Sequence, residues 1–249
     1  MYHLETSFTG KNGLWRYVVM FVAVLIASNT IGGIPLFVAY MTKAASDPGV
    51  LEKISSDPGS LATIGLDQNF SFFAMLFPFL IGLITFALLI KALNGRTFGM
   101  TLNGSGAFRW NRFFKAGFVW LALSVLYLFI YLKADPSNFV LNNTTGSLAT
   151  LILLSVLFVP FQAAFEEVLF RGYLMQGFTV LSRNRWVPLV MTSLLFGLMH
   201  SFNPEVEEFG FLTMMPQYVL FGLVFGIIAV LDDGIEAAIG AHAANNIFL

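Results

Sequence analysis

Apolar residues run along this chain in long uncharged stretches separated by short polar clusters, not in alternation with charge at a helical or strand period. An α-helix needs roughly 20 apolar residues to cross the ~30 Å hydrocarbon core of a bilayer. Stretches of that character near residues 15–41, 70–93, 113–132, 148–178, 186–200, 211–231 and 235–249 predict about seven transmembrane helices. The expected fold class is an all-α integral membrane protein, a helical bundle threaded repeatedly through the bilayer. The apolar stretch after Arg16 runs uncharged to Thr42. A signal-peptide core has only about 7–15 such residues, so this stretch reads as a first span and not as a cleaved leader.

The polar clusters between the stretches orient them. The first loop holds the turn signals Asp47-Pro48-Gly49 and Asp57-Pro58-Gly59, and four acids against two lysines. The second holds Lys91, Arg96, Arg109, Arg112 and Lys115 and no acid. Basic loops stay in the cytoplasm, which places the second loop and the N-terminus inside. Arg183 and Arg185 then fall inside and Glu205, Glu207 and Glu208 outside, while the Asp232-Asp233 turn is neutral in this respect. A bacterial plasma membrane is the expected location.

Composition narrows the chemistry. Only 11% of the 249 residues are charged and the net charge is −1, which gives no footprint for a nucleic acid and no polybasic lipid-docking tail. Cysteine is absent, so disulfides, thiolate-bound zinc and a thiol nucleophile are excluded. No internal repeat stands out. One compact membrane domain is expected, with residues 1–145 as scaffold spans and residues 146–249 carrying the unusual polar groups.

Those groups are Glu166, Glu167, Arg171, His200, His242 and Asn246. An ionised residue at bilayer depth costs on the order of 3 kcal/mol, which makes each of them a functional hypothesis. Glu167 and Arg171 are four residues apart and can pair along one helix face, leaving Glu166 about 100° round the helix without an obvious local partner. Both acids could equally share Arg171 as a structural salt bridge, His200 could be a satisfied packing residue, and Asn246 could be a helix cap. A carboxyl group in an apolar setting holds its proton more tightly, toward the range useful for proton transfer near neutral pH. Glu166 is therefore the candidate general base, supported by Glu167 and Arg171. His242 and Asn246, also four apart, leave one face of the last helix.

At 1.5 Å per residue Glu166, His200 and His242 lie roughly 18, 21 and 12 Å below the cytoplasmic ends of their helices. Three helices thus bring an acid and two imidazoles to similar depth. A carboxylate beside an imidazole can hold and deprotonate water while a second imidazole and an amide donate to an oxyanion, the division of labour that peptide hydrolysis needs. Glu166, His200 and His242 could instead bind zinc, since two imidazoles and a carboxylate form a hydrolytic metal set. Their spacing is not that of H-E-x-x-H, so a metal-activated and a Glu-activated water both stand at this stage.

The ordered motifs Glu166-Glu167-x-x-x-Arg171, Phe196-x-x-x-His200 and His242-x-x-x-Asn246 resemble the CAAX prenyl protease and bacteriocin-processing (CPBP, or Abi) family of intramembrane proteases, over roughly residues 150–249. The resemblance implies a multi-helix bundle with a polar, water-accessible intramembrane cavity. In it Glu166 and His200 would activate water, and His242 and Asn246 would stabilise the oxyanion. The implied substrate is a membrane-associated protein or peptide. The implied cofactor is zinc or none. Competing readings are a transporter-like relay through the same groups and a non-catalytic bacteriocin-immunity protein. Members of the family typically continue the last helix, whereas this chain ends at Leu249, three residues past Asn246. The expectation is either a natural early stop or a truncation.

Overall fold

The computed structural model describes residues 2–47, 49, 50, 52, 65–140 and 145–249. Among these residues there is helix and turn but no β-strand, only an isolated bridge between Asn103 and Gly234. Among the described residues five helical segments are long and apolar enough to cross a membrane: Leu14–Ser46, Gln68–Asn94, Trp110–Ala134, Leu148–Ser182 and Phe211–Asp232. The protein is an all-α integral membrane protein. The remaining two expected spans are also helices, Trp186–Met199 and Glu236–Phe248, but with 14 and 13 residues they rise only about 20 Å. They fall short of the ~30 Å core.

The elements in chain order are α1 (Tyr2–Glu5), α2 (Leu14–Thr30), α3 (Ile34–Ser46), α4 (Gln68–Asn94), α5 (Phe98–Leu102), α6 (Trp110–Ala134), α7 (Thr145–Glu167), α8 (Met175–Ser182), α9 (Trp186–Met199), α10 (Pro204–Phe209), α11 (Phe211–Asp232) and α12 (Glu236–Phe248). A π-helical turn, Val168–Leu174, joins α7 to α8. The first apolar stretch breaks between α2 and α3 at Gly32-Gly33. A side chain at Gly32 would put its Cβ 2.6 Å from the Cα of Pro78, so glycine there lets the break lie directly on α4. Helix α4 starts where Asp67 Oδ1 accepts the Phe70 N–H at 2.9 Å and stops at Gly95, whose φ of 68° suits a residue without Cβ. At the expected Asp47-Pro48-Gly49 turn the Gly49 N–H donates to Asp47 Oδ1 at 2.9 Å, Pro48 itself lying outside the described residues. The turn at Asp57-Pro58-Gly59 lies outside the described residues.

Helix α12 is wrapped by α6, α7 and α11, while α4 lies between α2 and α7, and α9 packs on α11 and α8. Close approach of α6 and α12 depends on small residues, as in many membrane interfaces. A Cβ at Gly240 would lie 2.0 Å from the Phe113 carbonyl oxygen, and Gly117 faces Gly240. Outward faces are apolar, as on α6, where Phe118, Leu123, Leu126 and Phe129 are exposed. Such a surface matches lipid, not water. At one end of the bundle Arg109 ties α6 to the α11–α12 turn, pairing with Asp232 at 2.9 Å and Glu236 at 2.6 Å.

The segment before α2 is anchored by three buried residues, His3, Leu4 and Ser7. His3 and Ser7 are enclosed; His3 Nε2 lies 3.0 Å from the Arg171 carbonyl oxygen and the His3 N–H donates to Asp233 Oδ1 at 3.1 Å. Gln176 Nε2 donates to the carbonyl oxygens of His3 and Met100, at 2.8 and 2.9 Å. Burial holds the His3 imidazole below its ordinary pKa, outweighing the hydrogen bond to Arg171 and the nearby Asp233 and Glu236. The neutral ring is the form that fits there.

Candidate active site

Glu166 and Glu167 end α7, and the backbone then widens into the π-helical turn that carries Arg171. Such turns concentrate at functional sites. Glu167 and Arg171 are fully enclosed, Glu166 is 6% exposed and His242 is 4% exposed. Two buried carboxylates and one buried guanidinium thus lie within six residues of the chain.

The i,i+4 pair expected from the sequence is formed: Arg171 Nη1 donates to Glu167 Oε1 at 2.9 Å. Arg171 Nη2 also donates to the Gly222 carbonyl oxygen at 3.1 Å, and its guanidinium lies 4.3 Å from the centre of the Phe196 ring. Glu167 Oε1 is in turn 2.8 Å from His242 Nδ1. A carboxylate only accepts, so this Nδ1 bears the hydrogen and His242 Nε2 points away from Glu167. The His242 ring is held flat against Phe225, with centroids 4.8 Å apart and planes 14° from parallel.

His200 follows the last turn of α9, and its Nδ1 lies 2.7 Å from the Phe196 carbonyl oxygen. By the same reasoning its Nε2 is the free nitrogen of the neutral ring. Tyr218 of α11 stacks on it at 4.6 Å. Both free nitrogens face one atom: Glu166 Oε2 is 3.9 Å from His200 Nε2 and 3.8 Å from His242 Nε2. That oxygen is buried and accepts no hydrogen bond from the protein. The other, Glu166 Oε1, accepts from Gln162 Nε2 at 2.6 Å. Glu166 therefore has a local partner that the sequence reading missed, one turn earlier on its own helix. Gln162 Oε1 accepts from Asn246 Nδ2 at 3.0 Å, which links the last named motif residue to the first. Asn245 and Trp120 extend the chain, with Asn245 Nδ2 donating to Asn246 Oδ1 at 3.0 Å and Trp120 Nε1 to Asn245 Oδ1 at 3.2 Å.

All six residues singled out in the sequence thus belong to one contiguous network drawn from α7, the π-helical turn, α9 and α12. Residues 145–248 match the model of the family described as type II CAAX prenyl endopeptidase Rce1-like. Over this segment the chain is similar to that family. The resemblance drawn from the three motifs holds over the segment that carries them, and at the family level it is that of a CAAX-type membrane endopeptidase. The chain is also 28% identical over 244 residues to the uncharacterized protein YyaK of Bacillus subtilis (strain 168), covering 96% of this chain and 78% of that protein. No solved structure matches the chain.

The donor types of the Rce1-like segment suit zinc, because both imidazoles present a free Nε2 beside a carboxylate and are oriented through Nδ1. Their spacing does not. Ligands of a tetrahedral zinc at ~2.0–2.1 Å stand roughly 3.4 Å apart, whereas these stand 3.8 and 3.9 Å from Glu166 Oε2. Among the described residues no trio of His, Asp or Glu side chains converges as a metal group.

Proposed function

We propose that the protein is an intramembrane endopeptidase that hydrolyses a peptide bond of a membrane-associated protein or peptide with water activated by Glu166. The observation that carries this reading is the triangle of Glu166 Oε2, His200 Nε2 and His242 Nε2, three buried or half-buried polar atoms facing one another beyond direct hydrogen-bond length. A water can sit ~2.8 Å from both Glu166 Oε2 and His200 Nε2, which stand 3.9 Å apart. It donates one hydrogen to Glu166 Oε2 and the other to His200 Nε2, which leaves its lone pair for a carbonyl carbon.

Attack forms the new C–O bond as the water proton passes to Glu166. The carbonyl π electrons move to the oxygen, where positive charge and N–H donors stabilise them. His242 faces this point with Nε2, its ring fixed by Glu167 at Nδ1 and by the face of Phe225; in its imidazolium form it donates there and keeps that proton through the cycle. Asn246 has a second amide hydrogen beyond the one given to Gln162. Collapse breaks the C–N bond, and Glu166 returns its proton to the leaving amine. Residues 146–249 serve as the catalytic part and residues 1–145 as its scaffold, in a bacterial plasma membrane with the N-terminus in the cytoplasm.

The test is cleavage of a diverse peptide library, including apolar C-terminal segments with and without a prenyl group, by wild type and Glu166→Gln in detergent. Each is assayed with and without a zinc chelator. Wild-type cleavage that survives chelator and disappears in Glu166→Gln is expected. Full activity of Glu166→Gln would refute the assignment, and loss of wild-type activity to chelator would replace the Glu-activated water by a metal-activated one.

A further inference from the structure

A cavity of about 360 Å³ lies outside the site, between α2, α8 and α9. Its walls include Leu14, Val18 and Phe21 on one side and Phe170, Leu181 and Met199 on the other, and neither Glu166, His200 nor His242 borders it. Helices α2 and α9 share no extended contact, because α2 packs on α4 and α9 on α8 and α11. The cavity is therefore a cleft in the lateral wall of the bundle, open where Val18, Leu181 and Leu198 are exposed. From Leu181 to Phe170 is eleven residues, about 16 Å along the helix. That is half the ~30 Å hydrocarbon core, the depth of one leaflet.

One end of the cleft is polar and cationic. Asn12 borders it, and Lys11, Arg183 and Arg185, next to the bordering residues Asn12 and Leu181 or at the start of α9, are exposed. None of the three forms an ion pair among the described residues, in contrast to Arg109, Arg112 and Arg171. Neither Lys11–Tyr17 nor Leu181–Trp186 contains an acid. Trp186 is exposed with the Arg185 guanidinium 5.1 Å from its ring centre, and Trp15 is exposed with Arg16 4.3 Å from its own; aromatic rings of this kind mark the level of lipid headgroups. An apolar slot one leaflet deep, headed by unpaired cations, is complementary to a lipid with an alkyl tail and an anionic head.

We propose that this cleft holds one anionic phospholipid of the surrounding bilayer, with an acyl chain between α2 and α9 and its phosphate on Lys11, Arg183 and Arg185. The lipid fills the gap that α2 and α9 leave open and backs α9, at whose end His200 stands. This inference does not rest on hydrolysis by the site.

Native mass spectrometry of the full chain, released from neutral detergent after addition of phosphatidylglycerol or of phosphatidylcholine with the same chains, tests it. One retained phosphatidylglycerol per chain is expected, with phosphatidylcholine at least about tenfold weaker. The double variant Arg183→Asn, Arg185→Gln removes two surface cations at about 1 kcal/mol each and is expected to weaken phosphatidylglycerol roughly thirtyfold. Asparagine is chosen at Arg183 because φ there is +51°, a conformation that Asn tolerates. Val18→Trp fills the slot and is expected to abolish retention of either lipid. Equal retention of the two lipids, or unchanged phosphatidylglycerol binding in the charge variant, would overturn the proposal. So would a prenylated peptide that occupies the slot and excludes phosphatidylglycerol in wild type and charge variant alike, because the cleft would then belong to a substrate chain.

Discussion

Arg171 offers the most quantitative test of how the site is held. Its guanidinium and the Glu167 carboxylate are both fully enclosed and 2.9 Å apart. Removing one partner of such a pair costs about 3–5 kcal/mol, mostly because the other charge is stranded. Contact with the face of Phe196 at 4.3 Å contributes up to about 2 kcal/mol, though the terms overlap. Arg171→Met keeps the volume of the side chain and is expected to lower the unfolding free energy by about 4 kcal/mol, a large part of the roughly 5–15 kcal/mol that holds most proteins folded. Adding Glu167→Gln removes the stranded charge while its amide oxygen still accepts from His242 Nδ1, so the double variant is expected to regain about 2 kcal/mol or more. The assay is reversible unfolding in mixed micelles by titration with sodium dodecyl sulfate, followed by helicity and tryptophan fluorescence. A loss below about 1 kcal/mol in the single variant, or a double variant no more stable than the single, would refute the reasoning.

Three further outcomes follow from the same geometry. Gln162→Leu frees both Glu166 Oε1 and Asn246 Nδ2 and is expected to reduce kcat by tenfold or more with little change in helicity; an unchanged kcat would mean that the Gln162 bridge does not orient the base. Gly240→Ala sets a methyl group 2.0 Å from the Phe113 carbonyl oxygen and is expected to cost about 1–3 kcal/mol, seen as a lower melting temperature in detergent; an unaltered one would show that α6 and α12 can part freely. His3, with its folded pKa held below the ordinary 6.5, takes up a proton more readily when the chain is unfolded, so its contribution is complete above about pH 6.5 and is lost as pH falls from there through the folded value. His3→Gln is expected to flatten that part of the stability profile, and parallel profiles for variant and wild type would contradict the role of the buried imidazole.

Much of this was legible in the chain because the bilayer imposes a simple code. Apolar runs marked the helical segments among the described residues, and Glu167 and Arg171, four residues apart, met as expected although the turn between them is π-helical. The two segments whose helices are shorter than a full span, Trp186–Met199 and Glu236–Phe248, are those carrying His200 and the His242/Asn246 pair. Gln162 was one turn from Glu166 and could have been found by asking which side chain shares its helix face. Tyr218, Phe225 and Trp120 could not. They reach the site from helices whose aromatic residues look the same in sequence whether they face lipid or an imidazole. The π-helical turn has no compositional mark, and the burial of His3 depends on tertiary contacts with Gln176, Asp233 and the Arg171 carbonyl that no local pattern encodes.

The central claim is that Glu166 and His200 hold the same water. A kinetic double-mutant cycle with Glu166→Gln, His200→Ala and the combined variant, on any peptide the wild type cleaves, tests it most directly. Each single change is expected to lower kcat/KM by about 10²–10⁴, and the combined variant to lose no more than the worse single one, because groups acting as a unit can be lost only once. Losses that multiply would contradict a shared water and place the two residues in separate steps.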